Sequence, residues 1–119
     1  MKNTITCLLI LIFSIISKQS LHAQSSAIIT DTVTIKGNCG QCKERIEEAA
    51  YIKGVKEAIW DKKTKILTVT YKSNKTTLEA ICKAIENVGH DSRFGQASDA
   101  EYKKLPACCA YRTGTCSHE

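Results

Sequence analysis

From Asp31 to Lys36 polar and apolar residues alternate, with Val33 and Ile35 on one side, and this predicts a half-buried strand. The run Gly37-Asn38-Cys39-Gly40-Gln41-Cys42 breaks the alternation with two glycines and an asparagine, as a loop does. Lys43 to Ile52 reads as a helix: Ile46, Ala49 and Ala50 share a face, Glu44, Glu47 and Glu48 point away, and Lys53-Gly54 stops it. Glu44, Glu47 and Glu48 are expected early in that helix, where negative charge suits the dipole. Val55 to Trp60 predicts a second strand and Asp61 to Thr64 a polar turn. Ile66 to Tyr71, β-branched and alternating, is the clearest strand in the chain. Thr76-Thr77-Leu78-Glu79 has capping-box spacing with Thr76 as the cap, and Leu78, Ile81, Ile85 and Val88 then recur at helical spacing until Gly89. His90 to Phe94 is expected to form a short last strand. Ser98-Asp99-Ala100-Glu101 repeats the capping pattern before a short helix ended by Pro106.

The predicted order is strand, helix, strand, strand, helix, strand. That is an α+β, ferredoxin-like βαββαβ sandwich, in which a four-stranded antiparallel sheet carries two helices on one face. A Cys-rich C-terminal tail follows. The organisation expected is a leader over 1–23, one domain over 30–95, and a short helix with the tail over 96–119.

The leader is expected because Met1-Lys2-Asn3 carries positive charge, Ile5 to Ile16 is almost wholly apolar, and a polar stretch ends at Leu21-His22-Ala23. This is the layout of a secretory signal peptide cleaved near Ala23, and the apolar run is short of the ~20 residues a membrane span needs. A secreted or periplasmic location follows as the expectation.

Composition changes the picture in two places. The 119 residues carry a net charge of +5, and Lys2 and Lys18 leave with the leader, taking it to +3. The remaining charge is scattered in doublets such as Lys62-Lys63 and Lys103-Lys104, which read as solvated faces, so nucleic acid is not an expected partner. Seven cysteines are many for this length. Cys7 leaves with the leader, and Cys39, Cys42, Cys82, Cys108, Cys109 and Cys116 remain. Export permits disulfides, so the count alone does not separate a disulfide framework from thiol–metal chemistry. No nucleotide-binding loop and no nucleophile triad is present, which points away from a pump or a hydrolase, and the chain is read as a non-enzyme.

The chemistry concentrates in Cys39-x-x-Cys42, at the junction of a strand and a helix. The spacing lets two sulfurs converge, and a helix N-terminus favours thiolate over thiol. Thiolates select soft ions, and two alone suit low-coordinate Cu(I), since a structural zinc site takes four protein ligands. Cu(I) therefore leads, with Hg(II), Zn(II) and Cd(II) behind it. The competing readings of the pair are a structural disulfide, which would close a very small loop, and a thiol-disulfide oxidoreductase. Cys82, beside Ile81 on the second helix, reads as a packed hydrophobe.

With its C-x-x-C loop, Gly54-Val55 after the first helix, and Ala84-Ile85 to Gly89-His90-Asp91, the stretch from Thr32 to about Phe94 resembles the heavy-metal-associated domain. That family includes copper chaperones, metal-pump N-terminal domains and periplasmic mercury-binding proteins. The resemblance implies soft-metal binding by Cys39 and Cys42 and transfer by ligand exchange. The implied partner is a metal-transporting membrane protein or another metal-binding domain, and the implied state a monomer or a metal-bridged dimer. A periplasmic mercuric-ion scavenger is the variant reading within it. Two positions depart from the family pattern. Gly37 stands where a buried Met usually supports the loop, and His90 stands where Tyr or Lys is common, a site that makes His90 a candidate third ligand. Beyond the resemblance, Cys108, Cys109, Cys116 and His118 offer three thiols and an imidazole. They are either a second soft-metal cluster, ligands folding back over Cys39 and Cys42, or disulfide partners.

Overall fold

The computed structural model of the protein describes residues 26–114; the expected leader, Cys116 and His118 lie outside them. Strand β1 (Ile28–Thr34), helix α1 (Gly40–Ala50), strands β2 (Val55–Trp60) and β3 (Ile66–Lys72), and helix α2 (Leu78–Glu86) follow in the predicted order. A short helix α3 (Asp99–Lys103) and a 3-10 turn (Ala107–Cys109) follow among the described residues. Among the described residues no helix is long and apolar enough to cross a membrane.

The sheet is antiparallel with order β1-β3-β2. Its inner face carries Val33, Ala58, Trp60, Leu67, Val69 and Tyr71, all buried. Ile46 and Ala50 of α1 and Ile81 and Ile85 of α2 close over that face, forming a two-layer α+β fold around an aliphatic core. Cys82 is fully buried there as the spacing suggested, and burial pushes its thiol up to about 11. Strand β1 starts three residues before the alternation at Asp31, because Ile28 to Thr30 pair with Lys72 to Thr70 and the Thr30 and Thr70 hydroxyls meet at 2.8 Å.

The expected fourth strand is not seen among the described residues. Only Ser92 bridges to Ile35 beside β1. The chain then folds back on itself: the Ser92 N–H donates to the Gly95 carbonyl at 2.9 Å, and the Ser92 hydroxyl accepts from the N–H of Phe94 at 2.9 Å and of Gly95 at 3.3 Å while donating to Glu86 Oε1 at 2.6 Å. A serine tied to its own turn withdraws the backbone groups that a strand ladder would need.

Three boundaries also move. Thr76 is buried, and Thr77 caps α2 instead, its hydroxyl accepting from the Ala80 N–H at 3.1 Å. Helix α2 ends at Glu86 rather than Val88, because the N–H groups of Val88 and Gly89 turn onto Ile85 and Glu86. Helix α1 starts at Gly40, so its first turn holds no acidic residue. Glu47 serves the packing of the helix instead of its dipole. It accepts from the Trp60 N–H at 2.8 Å and pairs with Lys43, tying α1 to the end of β2.

Gly89 positions everything after α2. It sits at φ +99°, and a Cβ there would meet the Glu101 carbonyl oxygen at 2.9 Å and Leu105 at 3.0 Å. Helix α3 and Leu105 therefore lie directly on the α2 turn. Gly89→Ala is expected to lower unfolding stability by about 1–3 kcal/mol, from the cost of a strained backbone conformation, and to loosen α3. Urea unfolding and amide exchange of α3 would show both.

Candidate metal centre

Cys39 is the N-cap of α1 in extended backbone conformation, and Cys42 lies in the first helical turn. Their sulfurs are 3.4 Å apart, and the Asn38 N–H approaches the Cys42 sulfur at 3.4 Å. The loop preceding them is packed tightly. A Cβ at Gly37 would lie 3.1 Å from Cys42 Cβ, 3.1 Å from Trp60 Cη2 and 3.2 Å from Ile46 Cδ1. The Trp60 ring thus occupies the space that a buried side chain at position 37 would need, and its Nε1–H donates to the Ile35 carbonyl at 3.1 Å. The single tryptophan of the chain supplies the loop support for which the family pattern has a methionine. Its lone presence was the only signal in the sequence, and nothing there linked it to Gly37.

The tail folds back onto this loop. The 3-10 turn places the Cys108 sulfur 3.3 Å and the Cys109 sulfur 3.5 Å from the Cys39 sulfur, with Cys109 and Cys42 at 2.6 Å. The ligand atoms of Cys39, Cys108 and Cys109 all lie within 4.8 Å of one another. Cys108 also donates to Gln41 Oε1 at 3.3 Å. Cys42 and Cys109 are fully buried, while Cys39 and Cys108 keep partial solvent contact. The loop is therefore covered, and its second cysteine belongs to the core.

The thiols are not equivalent. Burial works against the Cys39 thiolate, but the backbone N–H of Cys42 and the sulfur contacts with Cys108, Cys42 and Cys109 outweigh it and bring the thiol down to about 7. The same contacts act in reverse on their partners. Cys108 is raised chiefly by its contact with Cys39, and Cys109 is raised strongly by burial and by its contacts with Cys42 and Cys39. The cluster thus sets a readily formed thiolate at Cys39 beside two raised thiols, Cys108 and Cys109.

His90 is fully buried beneath Tyr111, ring on ring at 5.6 Å. Its Nδ1 meets the Lys36 carbonyl at 2.8 Å. Burial lowers its pKa, assisted by the Arg45 charge and opposed by the Lys36 carbonyl and Asp91. A neutral ring donating through Nδ1 leaves Nε2 as a lone pair, and that atom is buried without a hydrogen-bond partner. His90 is outside the group of three mutually close cysteines. Its shown contacts hold the backbone that leads into the metal loop.

The tail is seated by polar contacts to the same segment. The Tyr111 hydroxyl donates to the Gly89 carbonyl at 2.7 Å and accepts from the Asp91 N–H at 2.9 Å. Arg112 reaches both Asp91 carboxylate oxygens, at 2.6 and 3.2 Å, and the Ala97 carbonyl at 2.7 Å, with its guanidinium 4.3 Å from the Tyr102 ring centre. Asp91 itself is buried. Burial pushes its carboxyl up, but Arg112 and the Ala97 N–H outweigh that and hold it below the usual carboxylate range. None of these contacts was legible in the sequence, where Asp91, Tyr111 and Arg112 carry no spacing signal.

A small α+β sandwich with two cysteines at the start of its first helix is a soft-metal-binding architecture. The chain belongs to the heavy-metal-associated domain family, whose pattern matches residues 32–91, half of its length. Among solved structures it is similar to the CopZ metallochaperone, at 29% identity and a TM-score of 0.52, over 54% of this chain and 98% of that one. A Bacillus anthracis protein described as a candidate copper-ion-binding protein is 30% identical, with a TM-score of 0.54, over 58% of this chain and all of the other. The N-terminal domain of a potential copper-translocating P-type ATPase from Bacillus subtilis shares the fold, at 23% identity and a TM-score of 0.53, over 61% of this chain and 94% of that domain. No curated protein matches significantly.

Brief alkylation of the reduced, metal-free protein is expected to label Cys39 ahead of Cys108 and to spare Cys82. The Cys39 rate should rise through a midpoint near pH 7 as its thiolate forms. Mass mapping of the labelled peptides checks the order.

Proposed function

We propose that the protein carries Cu(I), taking it up through Cys39 and Cys42 and passing it on by ligand exchange, and that it is not an enzyme. The observation that carries this reading is the convergence of soft thiols at the α1 N-terminus, one of them down to about 7. Family membership and the similarity to CopZ support metal transfer as the role. Cu(I) is favoured over Hg(II), Zn(II) and Cd(II) by the donor type and by the copper-related descriptions of the similar structures.

Cys39 is the entry point: it is partly exposed and its thiol is brought down to about 7, so an incoming ion meets a thiolate there. Cys42 lies 3.4 Å away and closes the site by releasing its proton. A receiving protein reverses the order, its own thiolate attacking the ion while Cys39 is still accessible. The partner of this chemistry is another thiol-bearing metal domain, free or attached to a metal-transporting membrane protein. The apolar N-terminal run supports export before the metal is met.

Cys39→Ser is expected to weaken Cu(I) binding by at least about a hundredfold, roughly 2.7 kcal/mol, in anaerobic competition with a Cu(I) chelator, while the circular dichroism spectrum is preserved. Cys39 is the better test than Cys42, because a hydroxyl at the buried position 42 also perturbs packing. Unchanged affinity would remove the carrier reading. Tighter retention of Zn(II), Cd(II) or Hg(II) than of Cu(I) in parallel titrations would reassign the cargo, and multiple turnovers of a disulfide substrate would favour the oxidoreductase.

A further inference from the structure

We infer that Cys108 and Cys109 are metal ligands that complete a four-sulfur site with Cys39 and Cys42, and that the tail bearing them is a latched intramolecular competitor for the receiving partner. This rests on the carrier reading and adds to it a coordination number and a control on release. The family match ends at residue 91, and the similar structures cover little more than half of this chain, so the tail is an addition to the shared domain.

The geometry brings three sulfurs together directly, those of Cys39, Cys108 and Cys109, and Cys42 stands outside that group but next to two of its members. Tetrahedral coordination with metal–sulfur bonds of about 2.3 Å places sulfurs about 3.8 Å apart. Cys39 lies 3.4, 3.3 and 3.5 Å from Cys42, Cys108 and Cys109, so these pairs need only a small spread to admit an ion. Cys42 and Cys109, at 2.6 Å, open by about 1 Å. Cys109 is fully buried at this point, and its surroundings include the two loop cysteines rather than aliphatic groups alone.

The latch is separate from the ligands. Tyr111 and Arg112 follow Cys109 directly and anchor to Gly89, Asp91 and Ala97. With the latch closed, the tail thiols stand against Cys39, where a partner's thiols would approach. Transfer then requires metal–sulfur bonds to Cys108 and Cys109 to break as bonds to the partner's thiols form. Each departing thiolate takes up a proton, each entering thiol releases one, and the ion keeps its charge throughout. A closed latch makes the protein hold its cargo, and an opened one makes it deliver.

The test compares the reduced full-length protein with two variants, all loaded anaerobically with Cu(I). X-ray absorption counts the sulfurs around copper, and stopped-flow transfer to a chelator measures release. The parent is expected to show three or four sulfurs, and the Cys108→Ala, Cys109→Ala double variant two, with release at least tenfold faster. Arg112→Ala keeps every thiol and is expected to speed release several-fold, which covers the case of a double variant that folds poorly. Two sulfurs in the parent, with release unchanged in both variants, would overturn the inference while leaving the carrier reading intact. Loss of the carrier reading appears instead as unchanged affinity in Cys39→Ser.

Discussion

The ion pair between Arg112 and Asp91 is the contact on which the distinctive part of this structure depends. A buried carboxylate needs partners that outweigh its desolvation, and Asp91 finds them in the guanidinium and in the Ala97 N–H. Those partners lie downstream in the chain. Asp91 therefore draws residues 97–112 back across the end of α2. Tyr111 fixes the same segment through its backbone, bonding Gly89 and Asp91 with one hydroxyl and covering His90 with its ring.

Seating that segment decides the character of the metal loop. Cys39 and Cys42 alone would form an accessible pair at a helix start. With the 3-10 turn docked over them, Cys42 is sealed and the Cys39 sulfur is in contact with both tail thiols. The hydrogen bonds that lower Cys39 raise Cys108 and Cys109, so proton occupancy is distributed unequally around one centre. Below the loop, Trp60 fills the space beside Gly37 and ties it to Ile35, so the sulfurs are supported from the core side as well.

In the four-sulfur site we propose, a tail held this way is a ligand at high local concentration. Even a flexible tether presents a second group at about millimolar effective concentration, and a docked segment exceeds a flexible one when its geometry matches the site. A receiving protein at ordinary cellular concentration starts at a disadvantage against such a competitor. In the proposed latched carrier, retention and delivery depend on the contacts of Tyr111 and Arg112 as much as on the sulfurs.

The elements of the domain were written in the sequence, because each depends on local periodicity. Val33 and Ile35 alternate as a half-buried strand must, Ile66 to Tyr71 is rich in β-branched residues and alternates, and Ile81 and Ile85 recur at the helical period. Cys39 and Cys42 were also legible, since their spacing and their place between strand and helix are properties of a short stretch of chain. What the sequence could not settle was set at a distance. The switch of the α2 cap from Thr76 to Thr77, the reduction of the fourth strand to one bridge, and the substitution of Trp60 for a side chain at Gly37 all follow from packing against residues far along the chain. The tail cysteines showed the same limit. Their composition suggested thiol chemistry, but whether they stood apart or joined the loop depended on one carboxylate and one guanidinium 21 residues away from each other. Spacing along the chain carries local geometry, and only the folded chain brings such residues together.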